Sequence, residues 1–167
     1  KETSFMEKVL KAATQKVRKT NSLVSVEGMD DVLVHYAKCC HPIPGDGIMG
    51  FISRGRGVSI HRSDCQRAFE IDQARKVDVS WTGKEAPTLG DRQVKIRVVA
   101  QDEQGLLKKL GEAFSAQGMN IESANIRTNR DRKAICLFDV SVRNTEQVVR
   151  AVYELQKIRG IISVERL

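Results

Sequence analysis

The chain has 167 residues, 41% hydrophobic and 29% charged, with a formal net charge of +7. That is an ordinary globular make-up, with length for one domain or two small ones. No apolar run approaches the roughly 20 residues of a membrane span, and no signal peptide is legible, so a membrane partner is not expected.

The excess charge is uneven. Residues 1–20 carry six Lys/Arg against two acids, residues 21–84 eight of each, and residues 85–167 fourteen against eleven. Within residues 38–67, Lys38, Arg54, Arg56, Arg62 and Arg67 face only Asp46 and Asp64. A local basic face suits a polyanion such as RNA, and equally a solvated surface. Four cysteines without an export signal point to a reducing, cytoplasmic setting, where thiols serve as metal ligands or buried apolar groups.

Residues 1–20 read as one amphipathic helix, with Phe5, Val9, Ala13 and Val17 on one face. The chain opens inside this pattern, as expected of a piece of a longer protein whose main activity lies upstream. Residues 21–82 read as a small mixed domain. "SLVSVEG" and "VLVHYA" are β-like, and "GIMGFISRGRGVSIHR" is a hairpin around a glycine-rich turn. "SDCQRAF" reads as a short helix capped by Ser63, and "RKVDVSW" alternates again. The core is thin, which leaves room for a stabilising metal. Residues 83–91 read as a linker.

Residues 92–167 are regular. A strand with Val94, Ile96 and Val98 precedes a helix with Leu107, Leu110 and Phe114 on one face. Two strands follow around "NRDRK", the second with Cys136 as core packing, then a helix opened by the capping box Asn144–Gln147 and a last strand. The order βαββαβ predicts a ferredoxin-like antiparallel sheet with both helices on one face, an α+β architecture.

Cys39, Cys40, His61 and Cys65 are the metal candidates, since three sulfurs and an imidazole suit tetrahedral zinc. The H-x₃-C spacing of His61 and Cys65 fits one face of a helical turn. Against this, structural zinc sites usually space paired cysteines by two to four residues, and adjacent residues in an extended backbone point to opposite faces. One core cysteine beside one surface cysteine is the plain alternative. A nucleophilic thiolate beside His61 or His41 is a third, although nothing nearby resembles an oxyanion hole.

Around "SRGRG", Arg54, Arg56, His61 and Arg62, with Lys38, form a candidate RNA-binding set. Tyr36 and Phe51 are the local aromatics for base stacking. The loop "AQDEQGLLKKL" places Asp102 or Gln104 as a helix cap, with Gly105 at a tight turn. A helix N-terminus there can hold a carboxylate, with the strand start "GMNIES" expected nearby. Simple capping is the alternative.

"HYAKCCHPIPGDGIMGFISRGRGVSIHRSDC" closely resembles the cysteine-doublet module, also called the zinc-finger or ribosome-inter-subunit domain, of long RelA/SpoT-homologue (p)ppGpp synthetases and hydrolases. "VKIRVVAQDEQGLLKKLGEAFSAQGMNIESANIRT" is similar to the ACT domain that ends those proteins. The resemblance covers residues 24–167. It implies a non-catalytic regulatory region, with the catalytic domains upstream. It also implies docking on the ribosome near ribosomal RNA and tRNA. The family's Cys-Cys, His and Cys pattern falls on Cys39, Cys40, His61 and Cys65. Its amino-acid-binding loop falls on Asp102, Gln104, Gly105, Leu106 and Leu107, with Asn120 and Ile121 on the facing strand. Side-by-side ACT homodimers, in some members binding branched-chain amino acids, are implied as well.

Overall fold

The computed structural model describes residues 23–29, 31–82 and 91–167. The expected helix at 1–20 and all but the last residue of the expected linker lie outside these. Among the described residues no helix is long and apolar enough to cross a membrane.

The cysteine-doublet module is mostly sheet. β1 (Val24–Val26), β2 (Val34–Tyr36), β3 (Ile48–Ser53) and β4 (Gly57–Arg62) lead into the one-turn helix α1 (Gln66–Phe69). A 3₁₀ turn (Gln73–Arg75), β5 (Lys76–Val77) and β6 (Val79–Trp81) follow. The sheet order is β2-β4-β3-β5, with β2 parallel to β4, and β1 pairs separately with β6. At the β3–β4 turn only glycine fits position 57. Its φ is +79°, and a Cβ there would lie 2.0 Å from the Leu33 carbonyl oxygen.

β4 is buried on both faces, so its side chains feed two small cores. Val58 and Ile60 pack with Val24 and Val26, backed by Tyr36, Val79 and Trp81. The other face holds Phe51, Ala37, Cys40, Cys65 and Ala68. Four of those five residues are small, so this second core is thin, as the composition predicts.

The C-terminal domain has β7 (Arg92–Gln101), α2 (Leu106–Ala116), β8 (Asn120–Thr128), β9 (Lys133–Val142), α3 (Thr145–Gln156) and β10 (Ile161–Arg166). The strand order β10-β7-β9-β8 is antiparallel throughout, the ferredoxin-like arrangement the pattern predicts. Cys136, Phe138, Val140 and Val142 alternate into the core against Leu110, Phe114, Val148 and Leu155. Each such buried side chain contributes about 1.5–3 kcal/mol.

Three local expectations need correction. Leu107 is 54% exposed, and Leu106 takes its place on the buried face of α2. Neither Asp102 nor Gln104 caps that helix; its N-cap is Gly105 at φ +82°, with no side-chain cap. At α3 the Asn144 side chain accepts from the Gln147 N–H, but Gln147 reaches back to the Arg143 N–H rather than to Asn144. The box is thus shifted by one residue on its return leg. The freed Gln147 amide donates to the Gln117 carbonyl, tying α3 to the end of α2.

The two halves are joined by a peg. Residues 41–46, "HPIPGD", leave the cysteine-doublet module and insert into the C-terminal domain. Ile43 is 0% exposed and belongs to that domain's core. The Pro44 carbonyl accepts the Thr145 N–H at the start of α3. Gly45 passes so close that a Cβ would sit 2.2 Å from Thr145 Oγ1. Arg166, at the end of β10, grips Asp46 with two hydrogen bonds of 2.8 and 2.7 Å and also donates to the His41 carbonyl at 2.9 Å. The Asp46 carboxylate accepts the Ile43 N–H as well, and its carbonyl accepts the Trp81 indole.

Candidate functional site

Cys39, Cys40, His61 and Cys65 converge. Their ligand atoms all lie within 4.8 Å of one another. Cys39 Sγ is 3.4 Å from His61 Nδ1, 3.6 Å from Cys65 Sγ and 3.9 Å from Cys40 Sγ, and Cys40 Sγ is 3.9 Å from His61 Nδ1.

The objection from adjacency fails because the backbone is not extended there. Residues 38–40 form a turn closed by the His41 N–H on the Ala37 carbonyl at 3.0 Å, with His41 left-handed at φ +43°. A turn rotates consecutive side chains toward one side, so both sulfurs face His61. His61 and Cys65 do not share a helix face. His61 is the next-to-last residue of β4, and Cys65, not Ser63, is the N-cap of α1. A tight turn, with the Cys65 N–H on the Arg62 carbonyl, brings them together.

Burial favours an uncharged imidazole but also holds protons on the Cys39 and Cys40 thiols, which a metal would have to displace. Burial, and then the neighbouring His35, hold His61 below its usual pKa, which favours the neutral imidazole. Burial pushes the Cys40 thiol up to about 12. Burial also raises Cys39. At Cys65 burial acts upward, but backbone N–H groups of Ala68 and Arg67 and the neighbouring thiols outweigh it, and the net shift is down. Tetrahedral zinc with Zn–S near 2.3 Å and Zn–N near 2.0 Å places its ligand atoms about 3.5–3.8 Å apart. Four of the six separations, at 3.4–3.9 Å, lie near that spacing, and all six are within 4.8 Å. The chemistry of the donor set therefore fits a thiophilic divalent cation. His41 is not among the clustered ligand groups.

The candidate RNA set is divided. Arg54 and Arg56 are exposed at the β3–β4 tip, and Lys38 is exposed beside the cysteines. His61 is 7% exposed inside the thiol cluster. Arg62 is ion-paired with Asp64 at 2.5 Å and reaches the Leu167 carbonyl at 3.4 Å. Four ladder positions separate His61 from the last pair at the tip, about 13 Å at the rise of a strand. The aromatics are engaged as well. Tyr36 stacks on Trp81 and lies under the Arg92 guanidinium, and Phe51 packs edge-on to His61.

The candidate amino-acid site is also divided within one chain. Asp102, Gln104 and Gly105 follow Gln101, which pairs with Lys133 at one end of the sheet. Asn120 pairs with Ser141 at the other end, and Ile121 stands beside it. Antiparallel register carries the start of β8 away from the end of β7. Leu106 is buried in the core, while Leu107 is exposed.

A family model for the RelA/SpoT RIS domain matches residues 24–82, and one for the ACT domain matches residues 89–166. The chain is a RelA/SpoT RIS domain followed by an ACT domain. A GTP pyrophosphokinase of Myxococcus xanthus is 41% identical over 152 residues, covering 90% of this chain and 19% of that protein. The bifunctional (p)ppGpp synthase/hydrolase RelA of Mycobacterium tuberculosis is 36% identical over 146 residues, covering 86% of this chain and 19% of that protein. Among solved structures, the ACT domain of a GTP pyrophosphokinase from Chlorobium tepidum is 27% identical, with a TM-score of 0.42, covering 46% of this chain and 99% of that one. The chain spans about a fifth of the length of the curated relatives it matches. It matches the RIS and ACT regulatory region of such proteins, as the resemblance implies.

Proposed function

We propose that this chain is the regulatory region of a cytoplasmic (p)ppGpp synthetase/hydrolase, and that its RIS domain docks on ribosomal RNA and tRNA to pass starvation signals upstream. The observation that carries this is the β3–β4 tip. Arg54 and Arg56 are exposed there, ion-paired with nothing among the described residues, at the end of the hairpin remote from the ACT domain. Lys38 adds a separate contact; His61 and Arg62 are committed elsewhere. Co-sedimentation of this chain with ribosomes across a salt series tests the reading. Arg54→Ala with Arg56→Ala lowers the slope of log affinity against log salt by about one per lost phosphate contact. Affinity and slope unchanged in the double variant overturn it.

The cysteine cluster takes zinc in this reading, with Cys39, Cys40, Cys65 and neutral His61 as ligands, and the metal then supplies cross-linking to a thin core. Protein purified without chelator carries stoichiometric zinc by elemental analysis, and His61→Ala or Cys65→Ser loses it. Stoichiometric protein without metal counts against this role.

A second reading is amino-acid sensing by an ACT homodimer. It is favoured by the exposed 102–105 loop and by its separation from Asn120, which only a second copy can bring alongside. A branched-chain amino acid such as valine or isoleucine then binds between copies and controls hydrolysis by the upstream domains. Calorimetry against the twenty amino acids, with mass read by light scattering, gives heat only with the dimer. A confirmed dimer silent at millimolar ligand ends this reading.

A further inference from the structure

The thiol cluster has a second chemistry open to it. Cys39 and Cys65 are 26 positions apart, on two different elements: the 38–40 turn and the N-cap of a helix only one turn long. Their sulfurs are 3.6 Å apart, the shortest sulfur–sulfur distance recorded in the cluster. A disulfide needs about 2.05 Å, a closure of roughly 1.6 Å that side-chain rotation and a small shift of the short helix can supply. Cys40 is the wrong partner. It adjoins Cys39 in sequence, where a disulfide ring would strain the peptide, and its sulfur already accepts the Arg62 N–H at 3.3 Å. Access is provided by an open cleft of 430 Å³ lined by Cys39, Cys40 and Cys65. Cys39 is the most exposed of the three, so an oxidant meets it first.

We propose that Cys39 and Cys65 form a reversible disulfide on exposure to peroxide, and that this disulfide and a bound metal exclude each other. The chemistry balances in two steps. The Cys39 sulfur attacks peroxide; an S–O bond forms, the O–O bond breaks, and one water leaves with a sulfenic acid behind. The Cys65 sulfur then attacks that sulfenic sulfur; the S–S bond forms, the S–O bond breaks, and a second water leaves. Two electrons pass from the two thiols to the peroxide, and both thiol protons end in water. The oxidised sulfurs no longer offer thiolates, and Cys40 with His61 alone cannot close a four-ligand site. The disulfide stands independently of zinc binding; only the mutual exclusion rests on the zinc reading above.

The test starts from metal-free chain treated with hydrogen peroxide, quenched with catalase, then denatured, alkylated and peptide-mapped. Cys40 and Cys136 take the label, and Cys39 and Cys65 appear as one cross-linked peptide pair that dithiothreitol releases. Cys40→Ser keeps this pair, while Cys39→Ser and Cys65→Ser lose it. A Cys39–Cys40 link, an intermolecular link, or sulfinic acid at Cys39 with Cys65 still labelled overturns the proposal. A parallel sample preloaded with zinc withholds the disulfide until the ion is freed, and a chromogenic chelator reports its release in step with cross-linking. Cross-linking at an unchanged rate with zinc retained overturns the exclusion. Failure of zinc to bind, with the pair still formed, removes the zinc reading and leaves the disulfide.

Discussion

Asp46→Ala is expected to destabilise this two-domain chain by about 3–5 kcal/mol, the cost of removing one partner from a buried ion pair. The Asp46 and Arg166 side chains are 10% and 12% exposed, and their contact is bidentate. The pair's own net contribution is smaller than this figure. Most of the loss comes from leaving the Arg166 guanidinium buried with only the His41 carbonyl to receive it. The Ile43 N–H loses its acceptor in the same substitution. Urea unfolding at neutral pH measures the effect. The double variant Asp46→Ala with Arg166→Met recovers part of the loss, because no charge is then stranded. A single-variant loss below about 1 kcal/mol shows the pair to behave as a solvated surface bridge instead.

Ile43→Ala is expected to cost about 2–5 kcal/mol, the range for truncating a fully buried branched side chain. The more telling result is where the loss is felt. Ile43 belongs to the RIS domain by sequence, yet its side chain is part of the ACT core. Hydrogen exchange should therefore lose protection in α3 and β10 more than in the β3–β4 hairpin. Ile43→Val, which removes a single methyl, costs about 0.5–1.5 kcal/mol. Protection lost chiefly in β3 and β4 would mean that Ile43 supports the RIS core and the peg does not couple the domains.

These two effects share a physical basis. A chain segment that gives its apolar side chain to one domain and its backbone to another makes the stability of each depend on the other. The same segment follows directly on Cys39 and Cys40, so the thiol cluster and the ACT domain are linked through six residues. The Arg62 guanidinium closes a second path, from the cluster to the Leu167 carbonyl.

The ACT fold was legible in the sequence because its signals are local and periodic. The alternation Cys136, Phe138, Val140, Val142 means a half-buried strand whatever surrounds it, and the structure keeps it. Asn144 caps α3 for the same reason, since the bond spans three residues. The hairpin around Gly57 was legible from turn chemistry. Leu107 misleads because Leu106 and Leu107 fit an amphipathic helix almost equally well, and which one faces inward depends on where the helix starts. That start is set by Gly105 rather than by a polar cap.

Residue type and order by themselves determined two domains, their strand and helix sequence, and a set of four residues chemically able to bind a metal. Tertiary structure decided where those residues stand. Whether Cys39 and Cys40 point together turns on one left-handed residue, His41, and a turn closed on Ala37, which spacing does not reveal. Whether Arg62 and His61 are free for RNA turns on Asp64 and on burial. Whether the 102–105 loop meets Asn120 turns on strand register, which places them at opposite ends of one sheet. The Arg166–Asp46 clamp joins residues 120 positions apart, and no local pattern encodes a contact that only the packing of two domains creates.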